Sequence, residues 1–131
     1  MDMKRIIAIF ITCISLLAIL AHRQQPYRSV DVEEFATLIA NKEVILLDVR
    51  TADEYAEGHI PDVVFNIDVL KEDFTSLAEK HLDKDKTIAI YCRSGNRSKT
   101  AARSLTELGY DVIELNSGIK GWAESGRKIE K

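Results

Sequence analysis

The sequence predicts an α/β domain over residues 27–131, a parallel β-sheet with helices on both faces. Two patterns predict it. Short runs such as Val44–Asp48 and Thr87–Tyr91 are apolar almost throughout, as strands buried on both faces are. Stretches with apolar residues at helical spacing fill the gaps, and strands that alternate with helices imply parallel pairing.

The first element stands apart. Lys4 and Arg5 precede an apolar run from Ile6 to Ala21, which His22-Arg23-Gln24-Gln25-Pro26 ends. The run is slightly long for a signal-peptide core and slightly short for a full transmembrane helix. Residues 1–26 are therefore expected to be a signal peptide or a membrane anchor. Any membrane contact would come through residues 6–21, and the domain would lie in the periplasm or on the extracytoplasmic face of the membrane. Basic residues flank both ends, so charge does not decide orientation.

Tyr27–Val30 then reads as a short edge strand. Asp31 with Glu34 forms a capping-box pattern ahead of Phe35, Leu38 and Ile39. Val44–Asp48 is a buried strand, and Thr51 with Glu54 opens a short helix that ends at Gly58. Val63–Ile67 reads as a strand, and a helix is expected between Val69 and His81. Thr87–Tyr91 is the next buried strand. Ser98 is expected to cap a helix with the stripe Ala101, Ala102, Leu105 and Leu108, stopped by Gly109. Asp111–Leu115 is the last strand, and a helix is expected around Ile119–Ala123.

Charge and cysteine content narrow the function classes. The chain of 131 residues suits one domain plus a short appendage, with a net charge of -3. Residues 1–26 hold Lys4, Arg5 and Arg23 against Asp2, which leaves 15 basic and 20 acidic residues in the domain. That balance gives no reason to expect nucleic acid as a partner. The three histidines are far apart, so no metal site and no cofactor are expected. Of the two cysteines, Cys13 lies in the leader and Cys92 is the domain's single thiol. An acidic domain of this size gives no reason to expect more than a monomer.

In parallel α/β sheets, ligands bind where strand C-terminal ends meet helix N-termini. Cys92 occupies such a place, at the end of a strand and before a polar turn into a helix. Backbone N–H groups in a turn of this kind point toward its centre, and the helix N-terminus adds partial positive charge. Both favour a thiolate. Gly95 permits a tight cradle, and Arg93, Arg97, Lys99 and Arg103 gather around it in an otherwise acidic domain. Such a field would draw in a small anion. A core cysteine before an ordinary turn has no use for these neighbours.

The segment Cys92-Arg93-Ser94-Gly95-Asn96-Arg97-Ser98 resembles the active-site loop of the rhodanese family. The resemblance extends to Leu47-Asp48-Val49-Arg50, Glu54-Tyr55, Gly58-His59-Ile60-Pro61 and Asn66-Ile67. It continues through Gly109-Tyr110, Val112, Leu115, Ser117-Gly118 and Trp122. It implies a five-stranded parallel sheet and a sulfurtransferase in which Cys92 carries a sulfane sulfur as a persulfide. The donor would be a small sulfur-containing anion such as thiosulfate, and the acceptor cyanide or a thiol. Residues Arg93 to Ser98 would bind substrate, with Ser94, Gly95, Asn96 and Ser98 supplying chiefly backbone geometry and donors. Asp48 and Arg50 would brace the loop. Arg97 has a second reading, as a tie between the loop and Asp48 or another carboxylate. His59 is expected to make a structural hydrogen bond, and Trp122 to lie in the core.

Two positions depart from the family pattern: Asp62 stands where glycine is usual, and Ser117 replaces the first of two glycines. Both shape turns. Two rival functions remain. A cysteine-dependent phosphatase or arsenate reductase places arginine six residues after the cysteine, whereas Arg97 comes five after Cys92. A persulfide carrier or partner-binding module would share Cys92 but lack turnover.

Overall fold

In the computed structural model, residues 2–21 and 26–131 are described, with the side chains of residues 14–21 set aside. The expected end of the leader, His22 to Gln25, lies outside the described residues.

Helix α1 (Met3–Ala21) covers the apolar leader. Among the described residues no helix is long and apolar enough to cross a membrane; the side chains of the second half of α1 are not among them. The domain follows as β1 (Arg28–Val30), α2 (Val32–Ile39), β2 (Val44–Asp48), α3 (Ala52–Glu57), β3 (Phe65–Asn66), α4 (Phe74–His81), β4 (Thr87–Tyr91), α5 (Asn96–Glu107), β5 (Asp111–Leu115) and α6 (Gly118–Glu124). The five strands form one sheet in the order β1-β5-β4-β2-β3, and every pairing is parallel.

Alternation along the strands divides the core into two layers. Leu47, Val49, Ile88, Ile90 and Val112 face α4 and α5, where they meet Phe74, Ala78, Ala101, Ala102 and Leu105. Leu46, Ala89, Tyr91, Ile113 and Leu115 face the other way, against Phe35 of α2 and Trp122 of α6. Phe35 and Trp122 meet edge to face, with centroids 6.4 Å apart. The fold is thus the expected parallel sheet with helices on both faces.

The caps follow the sequence in two places and depart from it in one. Asp31 and Thr51 each accept a hydrogen bond from the backbone N–H three residues on, at 2.9 Å and 3.2 Å. Ser98, however, does not cap α5. The helix begins at Asn96, because Gly95 takes up the cap position with φ +107°, a left-handed conformation suited to glycine. Ser98 therefore sits inside the first turn and turns its hydroxyl toward the sheet. The predicted strand Val63–Ile67 also shortens to Phe65–Asn66. It is an edge strand entered from a turn at Asp62, whose φ of +69° explains why glycine could stand there.

Candidate active site

Cys92 follows the last residue of β4 and is 1% exposed, so its sulfur lies at the floor of a cup and not on the rim. One side of the side chain packs into the α4/α5 layer. The other faces polar donors. The Gly95 N–H points at Sγ across 3.1 Å, and Ser98 Oγ lies 3.4 Å from Sγ. Burial pushes the thiol pKa up. Hydrogen bonding from the Ser98 side chain and from the amides of Ser98, Gly95 and Ser94 outweighs it, and the net shift is downward.

The loop's carbonyls are held on its outer side. Cys92 O accepts from Ile119 N at 2.9 Å, and Arg93 O from Lys120 N at 3.0 Å. The first turn of α6 therefore occupies the loop's acceptors while the donors stay free to face inward. Two glycines permit this contact. A Cβ on Gly95 would collide with Asn116 O, and a Cβ on Gly118, at φ +63°, would collide with the Arg93 carbonyl.

The remaining expected site residues separate into two groups. Arg93 is exposed and lines a cleft of about 520 Å³ with Arg50, Glu54, Lys120 and Ile129. Ser94 contributes its amide, and Asn96 starts the helix with its side chain outward. Arg97 is held elsewhere: its two terminal nitrogens donate to the two Glu54 oxygens at 2.7 and 2.8 Å. The carboxylate that ties it is Glu54 of α3, not Asp48. The Arg97 guanidinium holds the Glu54 carboxyl down to a pKa of about 2, and the Arg97 pKa is raised in turn.

Asp48 and Arg50 form a buried pair with Nη2–Oδ2 at 2.7 Å, and the same nitrogen donates to Gly58 O at 2.7 Å. Burial lowers the Arg50 pKa, but Asp48 outweighs it and the guanidinium stays charged. The pair ties the end of β2 to the end of α3 and supports Arg97's partner helix, so its link to the loop is indirect. Tyr91 completes this layer by accepting from Ile60 N at 3.1 Å, and its phenol is held neutral by burial and by the neighbouring Asp48. His59 Nδ1 lies 2.9 Å from Ile60 O and its ring stacks on Tyr55, a structural arrangement. Trp122 is core, as expected.

Two residues of the site, Glu54 and Glu114, escape a reading of the loop alone. Glu54 pairs with Arg97, while Glu114 and Lys99 lie behind Ser98, with Ser98 Oγ to Glu114 Oε1 at 2.8 Å and Lys99 Nζ to the same oxygen at 3.2 Å. One signal was visible for Glu114: a carboxylate in the middle of the otherwise apolar Val112–Leu115. Among the described residues no group of His, Cys, Asp and Glu is arranged to hold a metal ion.

The chain is similar to known proteins in sequence and in fold. A sulfurtransferase of Allochromatium vinosum is 37% identical over 102 residues, covering 76% of this chain and 92% of that protein. The thiosulfate sulfurtransferase GlpE of Coxiella burnetii is 28% identical, covering 73% of this chain and 87% of its own. The crystal structure of a rhodanese-related protein from Thermoplasma volcanium superposes with a TM-score of 0.67 at 31% identity, over 79% of this chain and 98% of that one. The family model of the rhodanese-like domain matches residues 31–125, which takes in β2, the Cys92 loop and the α6 turn behind it. On fold, loop and sequence together, the chain belongs to the rhodanese-like domain family.

Proposed function

We propose that the protein is a thiosulfate sulfurtransferase of rhodanese type that works through a persulfide on Cys92. The observation that carries this reading is the convergence of the Gly95 N–H and the Ser98 hydroxyl on a buried sulfur. The Gly95 N–H, and the Ser98 hydroxyl once its proton turns to sulfur, stabilise negative charge on Sγ and, after transfer, on a second sulfur bonded to it.

The chemistry balances without a general base. The Cys92 thiolate attacks the outer sulfur of thiosulfate, forming a sulfur–sulfur bond. The bond to the sulfonate breaks, and its electron pair leaves with sulfite. Cyanide or a thiolate then attacks the outer sulfur of the persulfide, releasing thiocyanate or a new persulfide and restoring the Cys92 thiolate. Arg93, at the cleft beside the loop, would meet the sulfonate end of the donor. Arg97, already engaged with Glu54, serves the loop's shape.

The leader supports a proposed location. We infer from Lys4, Arg5 and the apolar run after them that α1 directs the domain to the extracytoplasmic side, as a cleaved signal or a retained anchor.

Intact mass spectrometry after thiosulfate treatment tests the reading. The wild type should gain one sulfur atom and lose it to cyanide over many cycles. Cys92→Ala, which keeps the exposed Cys13, should gain none. Equal sulfur uptake by the mutant would overturn the assignment. A single loading without turnover would instead identify a carrier.

A further inference from the structure

Glu114 is fully buried at the end of β5, between Ile113 and Leu115. An apolar side chain would fill this position, and a buried carboxylate is costly unless it is paired and fully hydrogen-bonded. It is both. Oε1 accepts from Lys99 Nζ at 3.2 Å and lies 2.8 Å from Ser98 Oγ, while Oε2 accepts from Ser29 Oγ at 2.5 Å.

Ser98 is the hinge of this arrangement. Its Oγ is within reach of three acceptors: Glu114 Oε1, Gly95 O at 3.1 Å, and Cys92 Sγ at 3.4 Å. A hydroxyl has one proton to donate. The acceptors therefore compete, and the charged ones compete most strongly.

We propose that Glu114, anchored by Lys99, is a positioning residue that competes with Cys92 for the Ser98 hydroxyl proton and so sets the pH at which the sulfur ionises. With Cys92 as a thiol, Ser98 donates to Glu114 and can accept from the thiol. When Cys92 ionises, the Ser98 proton rotates to sulfur, and Glu114 keeps its bonds from Lys99 and Ser29. Giving up the Ser98–Glu114 bond opposes ionisation, so the thiolate forms at a higher pH than it would if the Ser98 hydroxyl had no carboxylate to leave.

The charged groups around the sulfur are Lys99 and Arg97 of α5, Arg93 of the loop and Glu114 of β5. Arg97 is paired with Glu54 of α3, and β1 contributes the neutral Ser29 hydroxyl. Glu114 alone among these is linked to Sγ through a shared hydroxyl.

The inference rests on Cys92 being the reacting nucleophile. Its test reads alkylation and not sulfur transfer, so the two readings can fail separately. The full chain carrying Cys13→Ser is treated with iodoacetamide across a range of pH, and the midpoint of the alkylation rate is recorded. A carboxamide is a weaker acceptor than a carboxylate in either orientation, so Glu114→Gln should lower the midpoint by about one pH unit. Ser98→Ala should raise it, and the double variant should keep the Ser98→Ala midpoint. An unchanged or raised midpoint in Glu114→Gln would overturn the proposal. So would a Glu114→Gln shift of full size in the presence of Ser98→Ala, since the effect would then bypass the hydroxyl. If circular dichroism shows that Glu114→Gln does not fold, Lys99→Gln replaces it. That change leaves Glu114 without its cation and should raise the midpoint more when Ser98 is present than in Ser98→Ala; a shift of the same size in both backgrounds would sink the idea.

Discussion

The backbone N–H of Ile119 donates to the carbonyl of Cys92 across 2.9 Å, so the first turn of α6 is built onto the back of the active loop. Gly118 makes that approach possible, with φ +63° and no Cβ to strike the Arg93 carbonyl. Gly118→Ala adds about 1 kcal/mol of backbone strain and forces the loop or α6 to move. A displacement of about 1 Å at a reacting atom lowers rates by roughly 100-fold. Thiocyanate production should fall by about that factor while far-ultraviolet circular dichroism stays native. Full activity in the variant would show that the contact is dispensable.

The buried pair of Asp48 and Arg50 carries a second prediction. Asp48→Asn removes the negative partner and leaves a guanidinium almost wholly buried beside Gly58 O. Breaking a buried pair in this way costs about 3 kcal/mol. Urea unfolding should report that loss at neutral pH. A midpoint equal to that of the wild type would show that solvent reaches Arg50.

Glu54 and Arg97 supply a pH dependence whose sign is fixed. The folded Glu54 pKa lies at about 2, below its ordinary 4.5. Its contribution to stability is therefore complete above pH 4.5 and is lost as the pH falls toward about 2. The pair is partly solvated, so the contribution is modest, about 1 kcal/mol. Thermal unfolding of the wild type should lose stability relative to Glu54→Gln as the pH is lowered through this window. Parallel curves for the two proteins would show that Arg97 gains nothing from the charge.

Much of the fold was legible because several elements carry their own boundaries. Val44–Asp48, Thr87–Tyr91 and Asp111–Leu115 are strands at the residues expected, since each is a compact apolar run bounded by polar residues. The Cys92 loop was legible for the same local reason, as a strand end, a glycine and a helix start close together. Ser98 was misread because its partners are not local. A serine before an apolar stripe looks like a cap, whereas here Gly95 starts the helix and Ser98 answers to Glu114 on another element. Arg97 shows the same limit. Its need for a carboxylate could be foreseen, but Glu54, 43 residues earlier, meets it only once α3 lies beside α5. Contacts between distant segments depend on the sheet order, which no single run of residues states.

That order also decides when the chemistry can begin. β5 slots between β1 and β4, joining Ser29 to Glu114 across 85 residues. Glu114 follows Ser98 by 16 positions, and Gly118 comes later still. A chain emerging from the ribosome therefore exposes Cys92 as an ordinary thiol, with no α6 behind its loop and no carboxylate beneath it. Pairings that span so much of the domain form slowly, so the surroundings of the sulfur are complete only after β5 and the first turn of α6 have been made.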